Sequence, residues 1–418
     1  YLTQVIPYEE AKDYMKDYAE KTYGRKGHDV VEKNWAAVDK GTEGLEEIPV
    51  DPSWADLPVN EEIIESNKPE FVKRIADPVN AIKGYDLPVS AFIGYEDGTF
   101  ENGTTHYEKR GIAVDVPEWQ PDMCIQCNQC AYVCPHAVIR PFLIDEKEMA
   151  AAPEGMPTIK AIGKGFENLQ FKIQVSPLDC TGCGSCVNVC PAPKGKAIVM
   201  KPIDSQLERK EDVYTDYLFN NVTYKDKIMG KGTVKGSQFA KPLFEFSGAC
   251  AGCGETPYVK LITQLFGERM MIANATGCSS IYGGSAPSTP YTTNSCGEGP
   301  AWASSLFEDN AEYGYGMFQA VNTVRHRIAK LMTECESEVA PELADLFVEW
   351  RENINDGDKT TELRDKMIPL LEKETGAKAK EILELKQYLV KKSIWMFGGD
   401  GWAYDIGYGG LDHVLASG

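Results

Sequence analysis

The chain has 418 residues, 43% of them hydrophobic, so it is long enough for two to four domains with sizeable cores. Its formal net charge of −20 argues against binding to nucleic acid or to an anionic membrane surface. Apolar runs are too short to span a bilayer, and no secretory signal begins the sequence. Clustered cysteines without such a signal are typical of metal sites in a reducing cytoplasm rather than of disulfide frameworks.

The first 105 residues contain two kinds of pattern. Over residues 1–40 apolar residues recur at helical spacing, which predicts two helices, the second over about 27–38. Between residues 45 and 105 six prolines interrupt every regular pattern. We therefore predict a first region over 1–55 and an irregular connecting segment over 56–105.

Two cysteine runs then follow, CIQCNQCAYVCPH at 124–136 and CTGCGSCVNVCP at 180–191. In each run cysteine occupies relative positions 0, 3, 6 and 10, with proline directly after the last. A short strand is predicted before each run, at 112–116 and at 171–175, and the stretch 137–170 has the composition of an insertion. This internal repeat predicts two similar halves around a pseudo-twofold axis.

The spacing of these cysteines is that of two-cluster ferredoxins. There, the first three cysteines of a run hold one [4Fe–4S] cluster and the fourth binds the other cluster. One predicted ligand set is therefore Cys124, Cys127, Cys130 and Cys190, and the other is Cys180, Cys183, Cys186 and Cys134. Zinc is the alternative, although zinc sites generally use separated CxxC pairs. We expect His136 to pack or to form a hydrogen bond rather than to bind metal, and we assign 106–220 to a ferredoxin-type domain.

The rest of the chain changes character. Residues 201–245 are polar and are interpreted as a linker. An α/β pattern follows, with buried strands predicted at 270–275 and 393–397 and an amphipathic helix at 319–332. Residues 336–390 are charged and helical, and we expect them to cover this domain.

Three further cysteines lie in this α/β region. Cys250 and Cys253 form CAGCGE, and Cys278 follows the strand predicted at 270–275. From spacing alone these thiols are compatible with a metal cluster lacking one ligand, a zinc site, a redox pair or buried thiols. Cys296 and Cys335 are interpreted as ordinary thiols.

The sequence GGDG follows the second predicted strand, at the end where open α/β sheets bind ligands. Gly399 and Gly401 would let the backbone approach a diphosphate, and Asp400 would offer a hard oxygen ligand to Mg²⁺. An ordinary Gly-Asp-Gly turn is the alternative.

Five long strings together resemble the pyruvate:ferredoxin oxidoreductase family. They are PEWQPDMCIQCNQCAYVCPHAVIRP (117–141), CAGCGETPY (250–258), ATGCSSIYGG (275–284), GPAWASSLFEDNAEYGYGM (299–317) and GGDGWAYDIGYGG (398–410). The resemblance covers essentially the whole chain, in consistent order. It implies the middle-to-late part of a large homodimeric cytoplasmic enzyme that uses thiamine diphosphate, Mg²⁺, three [4Fe–4S] clusters and coenzyme A.

The resemblance also implies roles for particular residues. Cys250, Cys253 and Cys278 would hold the third cluster, whose fourth cysteine is not in this chain. Thiamine diphosphate and its Mg²⁺ would contact Glu255, Cys278, Gly399, Asp400, Gly401 and Trp402. Residues 1–55 would end a coenzyme A-handling domain, in which Asn34 would contact coenzyme A; a helix-surface asparagine is the alternative. The catalytic acid–base residues would lie outside this chain.

The implied reaction is oxidative decarboxylation of pyruvate with coenzyme A to acetyl-CoA and CO₂. Electrons would pass from a thiamine adduct through three clusters to ferredoxin or flavodoxin. The alternatives are the same chemistry on another 2-oxoacid, or an electron-carrier module without thiamine chemistry. The implied fold is α/β multidomain: a ferredoxin-like 2[4Fe–4S] α+β domain, then an incomplete thiamine diphosphate-binding α/β domain over 221–418. Lys194, Lys196 and Lys201 are either a basic patch for an acidic ferredoxin or ordinary solvated lysines.

Overall fold

The computed structural model describes residues 2–3, 5–56, 67–284 and 287–418. The chain divides into two compact units, Tyr1–Glu65 and Ser66–Gly418. In the first unit α1 (Tyr8–Tyr23) and α2 (His28–Lys40) pack together, which confirms the two predicted helices. The Trp35 indole donates to the Lys16 carbonyl over 3.0 Å, and the Lys16 ammonium lies 2.7 Å from the Asp39 carboxylate. These two contacts help to join the helices.

The second unit begins within the predicted connecting segment, of which residues 57–66 lie outside the described residues. A π-helical turn, Val72–Ala76, leads into α3 (Asp77–Asn80), and it buries Phe71 and Ile75 in a small core. Irregular turns follow, as the prolines predict. The Thr104 hydroxyl donates to the Pro287 carbonyl over 3.1 Å, so the end of this segment is anchored on later parts of the unit. The predicted domain boundaries stay predictions.

The ferredoxin-like region follows. Its elements are β1 (Asp115–Trp119), α4 (Gln129–Tyr132), β2 (Ile139–Ile144), α5 (Glu146–Ala150), β3 (Ile159–Lys160), β4 (Gln170–Val175), α6 (Ser185–Val189) and β5 (Ile198–Pro202). The order of strand, cysteine run, helix and strand occurs twice. The first strand of each copy pairs antiparallel with the second strand of the other, β1 with β5 and β4 with β2. The two halves therefore exchange strands, as a pseudo-twofold repeat requires.

Two details of this region differ from the sequence prediction. The strand predicted at 112–116 pairs only from Asp115, whose partner is Pro202. The stretch 137–170 is not an insertion, because it supplies β2, all six residues of which are buried. Pro141 concealed this strand, since proline lacks the N–H of a sheet ladder; β2 is an edge strand, where proline is tolerated.

The linker predicted at 201–245 is wrong. That stretch forms α7 (Ile203–Glu208), α8 (Glu211–Asn221) and α9 (Val234–Ser237). Tyr214, Leu218 and Phe219 of α8 are buried in the same core as β2 and β4. Because many polar residues surround these few apolar side chains, the average composition resembles that of a linker.

The α/β region begins with α10 (Thr256–Phe266), β6 (Met270–Asn274), α11 (Cys278–Gly284) and β7 (Ala301–Ser304). It continues with α12 (Asn310–Cys335), α13 (Pro341–Glu352), α14 (Gly357–Leu371), α15 (Ala377–Glu384), β8 (Ser393–Phe397) and α16 (Leu411–Ala416). The three strands form a parallel sheet in the order β7-β6-β8. Both predicted strands and the predicted helices are therefore confirmed. Helices α12 to α15 share a core of their own. Within the described ranges, we find no helix with the length and apolar character needed to cross a membrane.

Candidate metal centres and cofactor site

The two cysteine runs follow the same backbone course. The second and fourth residues after the first cysteine have positive φ in both copies, at Gln126 and Asn128 and at Gly182 and Gly184. This left-handed conformation favours glycine, which only the second copy uses. In each copy the N–H of the second residue points at the first cysteine, 3.4 Å from its sulfur. The loops are therefore shaped to surround a group that the thiols share.

The thiols form two groups. One cavity is lined by Cys124, Cys127, Cys130 and Cys190, which we call the first quartet. A second cavity is lined by Cys134, Cys180, Cys183 and Cys186, the second quartet. The fourth cysteine of each run thus lies with the first three of the other run, which is the grouping that the crossing pattern predicts. Among the described residues no three His, Cys, Asp or Glu side chains converge as ligands of one ion. A cube needs no such point, because each of its irons takes one protein thiolate.

Burial dominates the electrostatics of the quartets. It raises the pKa of Cys180 to about 12 and holds those of Cys130 and Cys186 well above the usual thiol range, with neighbouring cysteines adding to the rise. Without a cation such thiols stay protonated at neutral pH, whereas metal coordination deprotonates them.

Lys260 lies between the two quartets and was not predicted. Its ammonium donates to the carbonyls of Ala131 and Tyr132, the latter over 3.0 Å. Burial lowers the pKa of Lys260 to about 8, and the nearby Cys134 and Cys130 oppose this effect. Nothing in the sequence of α10 indicates that this lysine would be buried beside the cysteines.

The CAGC loop lies against the second quartet. Gly252 has the same left-handed conformation, φ +71°, as the matching residues of the two runs. A Cβ added to Gly252 would lie 3.6 Å from that of Cys183. His136, expected to form a hydrogen bond, donates from Nε2 to the Ala249 carbonyl over 2.9 Å, and its Nδ1 lies 3.4 Å from the Thr181 hydroxyl. The expected hydrogen bond of His136 is therefore present.

Tyr282 brings the remaining predicted residues of this loop together. Its hydroxyl donates to the Glu255 carboxylate over 3.2 Å. Burial raises the pKa of Tyr282, and Glu255, Cys253 and Cys278 raise it further. Cys253 and Cys278 therefore lie near one hydroxyl, although they are 25 residues apart. Sequence reasoning did not single out Tyr282.

Cys278 and Asp400 follow adjacent parallel strands, β6 and β8, and so lie at one edge of the sheet. Below the GGDG turn the packing is close: a Cβ on Gly398 would overlap the Trp402 ring and lie 3.0 Å from the Ala275 Cβ. Above it, Asp400 is exposed and Gly399 has open space around it. Trp402 is buried beneath the turn with Ala275, so its predicted contact with a cofactor stays a prediction.

The other predicted residues lie apart from this site. The Asn34 amide donates to the Val30 carbonyl of its own helix over 2.8 Å. Cys296 is exposed, and Cys335 is buried in the helical core. The three lysines of the predicted basic patch, Lys194, Lys196 and Lys201, are exposed.

Known proteins resemble this chain throughout. A family model described as a 4Fe-4S dicluster domain matches residues 123–194, and the EKR model, described as a domain of unknown function, matches 59–113. The whole chain is 53% identical to the pyruvate:ferredoxin oxidoreductase of Moorella thermoacetica, of which it covers 36%. It is 51% identical to the pyruvate-flavodoxin oxidoreductase of Klebsiella pneumoniae, covering 35%, and 43% identical to the pyruvate dehydrogenase (NADP⁺) of Cryptosporidium parvum, covering 25%.

The chain thus spans about a third of the length of the first two relatives. The resemblance found in the sequence strings is confirmed over every part of the chain. By sequence the chain is similar over its whole length to a segment of the pyruvate:ferredoxin and pyruvate-flavodoxin oxidoreductases, and it includes a 4Fe-4S dicluster domain.

Proposed function

We propose that this chain is the electron-transfer and cofactor-holding part of an enzyme that oxidises pyruvate with coenzyme A to acetyl-CoA and CO₂ and reduces ferredoxin or flavodoxin. The observation that best supports it is the closeness of Gly252 in the CAGC loop to Cys183 on one side, while Cys278 shares a sheet edge with the GGDG turn. The CAGC loop and Cys278 therefore lie between the second quartet and the GGDG turn, which is of a type that binds cofactors.

The thiols are the proposed iron ligands. The first and second quartets each hold one [4Fe–4S] cluster, and Cys250, Cys253 and Cys278 bind a third. Clusters of this kind supply one-electron acceptance and release. The donor set fits, because the quartets surround two cavities and place backbone N–H groups 3.4 Å from two of their sulfurs. His136 ties the CAGC segment to the CP turn and so holds the third set against the second quartet.

Thiamine diphosphate with Mg²⁺ is the proposed cofactor at the sheet edge. Asp400 binds the metal, and Gly399 and Gly401 leave room for the diphosphate. Glu255, held by Tyr282, contacts the same cofactor, and Trp402 supports the turn. The thiazolium ring supplies an electron sink for decarboxylation. An exposed carboxylate oxygen next to open backbone suits a Mg²⁺-bound diphosphate.

The remaining proposals rest on the family resemblance of the sequence alone. Asn34 contacts coenzyme A, and the enzyme is a cytoplasmic homodimer. Coenzyme A, pyruvate, ferredoxin or flavodoxin and the other parts of the same enzyme are its partners. Lys194, Lys196 and Lys201 are either a docking patch for the electron acceptor or ordinary surface lysines. Slower reduction of the acceptor after their charges are removed would favour the docking patch.

The decisive experiment counts iron and acid-labile sulfide in the full-length protein and records its electron paramagnetic resonance spectrum after pyruvate is added. We expect about twelve irons per chain, from three cubes, and a pyruvate-dependent signal. About eight irons and no response to pyruvate or to any other 2-oxoacid would contradict the proposal and favour an electron-carrier module. A response to a different 2-oxoacid alone would correct the substrate.

A further inference from the structure

The two halves of the cysteine repeat differ at one informative position. Five residues before the first cysteine, where the preceding strand ends, the first copy has Trp119 and the second has Val175. Both side chains are buried. The tryptophan lines the cavity of the first quartet. Valine has no polar hydrogen, so only the first copy can offer a side-chain donor from this position.

The Trp119 indole is a donor without an acceptor. Its Nε1 is fully buried, and within the described residues no hydrogen-bond partner is found for it. A buried N–H that stays unpaired is costly, so a group in this cavity is expected to accept from it. Cys124 lines the same cavity as Trp119 and is therefore a candidate acceptor.

Neighbours hold the indole in place. Phe171 meets the Trp119 ring edge to face at 6.2 Å, and the Lys172 ammonium lies 5.5 Å from the ring centre. Lys172 is itself fixed by Glu211, at 3.6 Å. The N–H therefore has a defined direction rather than a free choice of rotamer.

Lys235 supplies a positive charge next to the first cysteine run. The Lys235 ammonium donates to the Ile162 carbonyl over 2.7 Å, and the Asn128 amide donates to the Lys235 carbonyl over 3.0 Å. Burial lowers the pKa of Lys235, and Cys127 and Cys124 oppose this effect, so the cation is within electrostatic reach of two first-quartet thiols.

The second quartet has different surroundings. An acidic residue, Asp179, directly precedes Cys180, the first cysteine of the second run. The Asp179 carboxylate is ion-paired with Lys109 at 2.6 Å, which balances that charge rather than adding a positive one. Lys260 acts on both quartets and so does not distinguish them.

We propose that Trp119 donates a hydrogen bond to the iron–sulfur group of the first quartet and, with Lys235, makes that site easier to reduce than the second quartet. The inference rests on the proposed function. Hydrogen bonds to the sulfurs and nearby positive charge both stabilise the more negative, reduced state of a cluster. Moving one electron from the second site to the first oxidises one by a single electron, reduces the other by one and requires no proton.

The placement gives this difference a direction. Gly252 of the CAGC loop lies close to Cys183, an exposed member of the second quartet, whereas the first quartet lies beside Met123 and Ile125, which are 39% and 48% exposed. A more easily reduced first site therefore draws electrons away from the CAGC loop.

The test is a redox titration of the cluster-loaded full-length protein, followed by electron paramagnetic resonance. In Trp119→Phe, which keeps an aromatic ring but lacks the N–H, we expect reduction of one cluster to become about tenfold less favourable, or about 59 mV lower for one electron. The other potentials should not move. Trp350→Phe is the matched control, because it removes an indole N–H that donates to the Leu389 carbonyl in the distant helical core.

A second pair of variants tests the proposal even if the Trp119→Phe protein does not acquire its clusters. Lys235→Met should lower the same potential, whereas Lys235→Arg, which keeps the charge, should leave it within error of the wild type. Unshifted potentials in fully loaded Trp119→Phe or Lys235→Met protein would overturn the inference alone. Wild-type protein without the two clusters would overturn the proposed function with it.

Discussion

The ferredoxin-like region and the α/β region build their candidate sites in opposite ways. In the first, all eight thiols come from residues 124–190, in two runs that each follow a strand and continue into a short helix. In the second, Cys278 and Asp400 are 122 residues apart and meet only because β6 and β8 pair side by side. Helices α12 to α15 fill the intervening chain and pack into a core of their own.

The two kinds of site should therefore differ in which substitutions damage them. A local repeat specifies its ligands by sequence interval, so one substitution should remove one identifiable group. A site at a sheet edge depends on packing beneath it, so substitutions away from the ligands should damage it as well. Four substitutions test this contrast, in order of decreasing expected effect.

The largest effect is expected from the crossing ligands. Cys134→Ala should lose the cluster of the second quartet, although Cys134 belongs to the first cysteine run, because its thiol lies with Cys180 and Cys186. About four irons should be lost per chain, with the matching resonance signal. Cys296→Ala removes an exposed thiol and is the control, which should keep all iron. Loss of the first-quartet signal from Cys134→Ala would contradict the crossing.

Glu245→Gln tests the junction between the regions. The Glu245 carboxylate is buried, ion-paired with Arg140 of β2 and 3.4 Å from His106. Breaking a buried ion pair costs about 3–5 kcal/mol, so we expect that loss in denaturant unfolding at pH 7.

The same variant makes a pH prediction. Although burial alone would raise it, the pKa of Glu245 is held well below its usual range by Arg140 and His106. Its stabilisation is therefore complete above the ordinary glutamate pKa of about 4.3 and is lost as pH falls below it. The gap between wild type and variant should narrow on acidification. A gap that widens would contradict this assignment.

Gly398→Val tests the packing beneath the sheet-edge site. A Cβ at this position would overlap the Trp402 ring, so we expect a destabilisation of about 1–3 kcal/mol and weaker binding of thiamine diphosphate. Thermal unfolding and calorimetric titration measure the two effects. Gly399→Ala, which adds a Cβ in open space, should unfold like the wild type. Equal stability of the valine variant would show that the turn is not held from below.

The smallest effect is expected from Tyr282→Phe. It removes one hydrogen bond to Glu255, which we expect to weaken Mg²⁺–thiamine diphosphate binding by about 1 kcal/mol, since Glu255 is exposed. Tyr258→Phe is the control, because that tyrosine is 69% exposed. Calorimetric titration of the full-length protein measures both. Equal cofactor affinities of Tyr282→Phe and the wild type would show that Tyr282 does not support binding.

The cysteine quartets could be predicted because sequence interval fixes how a loop surrounds a cube. The strand before GGDG could be predicted for a similar reason, since a short apolar run ends directly at the turn. Each prediction uses a short local pattern, and the crossing of the fourth cysteines follows from the repetition of that pattern.

What escaped prediction depends on partners distant in sequence. Strand β2 was concealed by Pro141, whose missing donor matters only if the strand has neighbours on both sides. Lys260 and Trp119 look like an ordinary surface lysine and an ordinary core aromatic until the fold places them beside thiols. Nothing within their own segments distinguishes them from such residues.

The exchange of strands and of fourth cysteines has a consequence for biosynthesis. When Cys124 leaves the ribosome, both the partner strand of β1 and the last thiol of its quartet are still unmade. If the quartets hold clusters as proposed, neither cluster can receive all of its ligands until both cysteine runs have been synthesised. Deletion of either cysteine run would likewise remove ligands from both quartets.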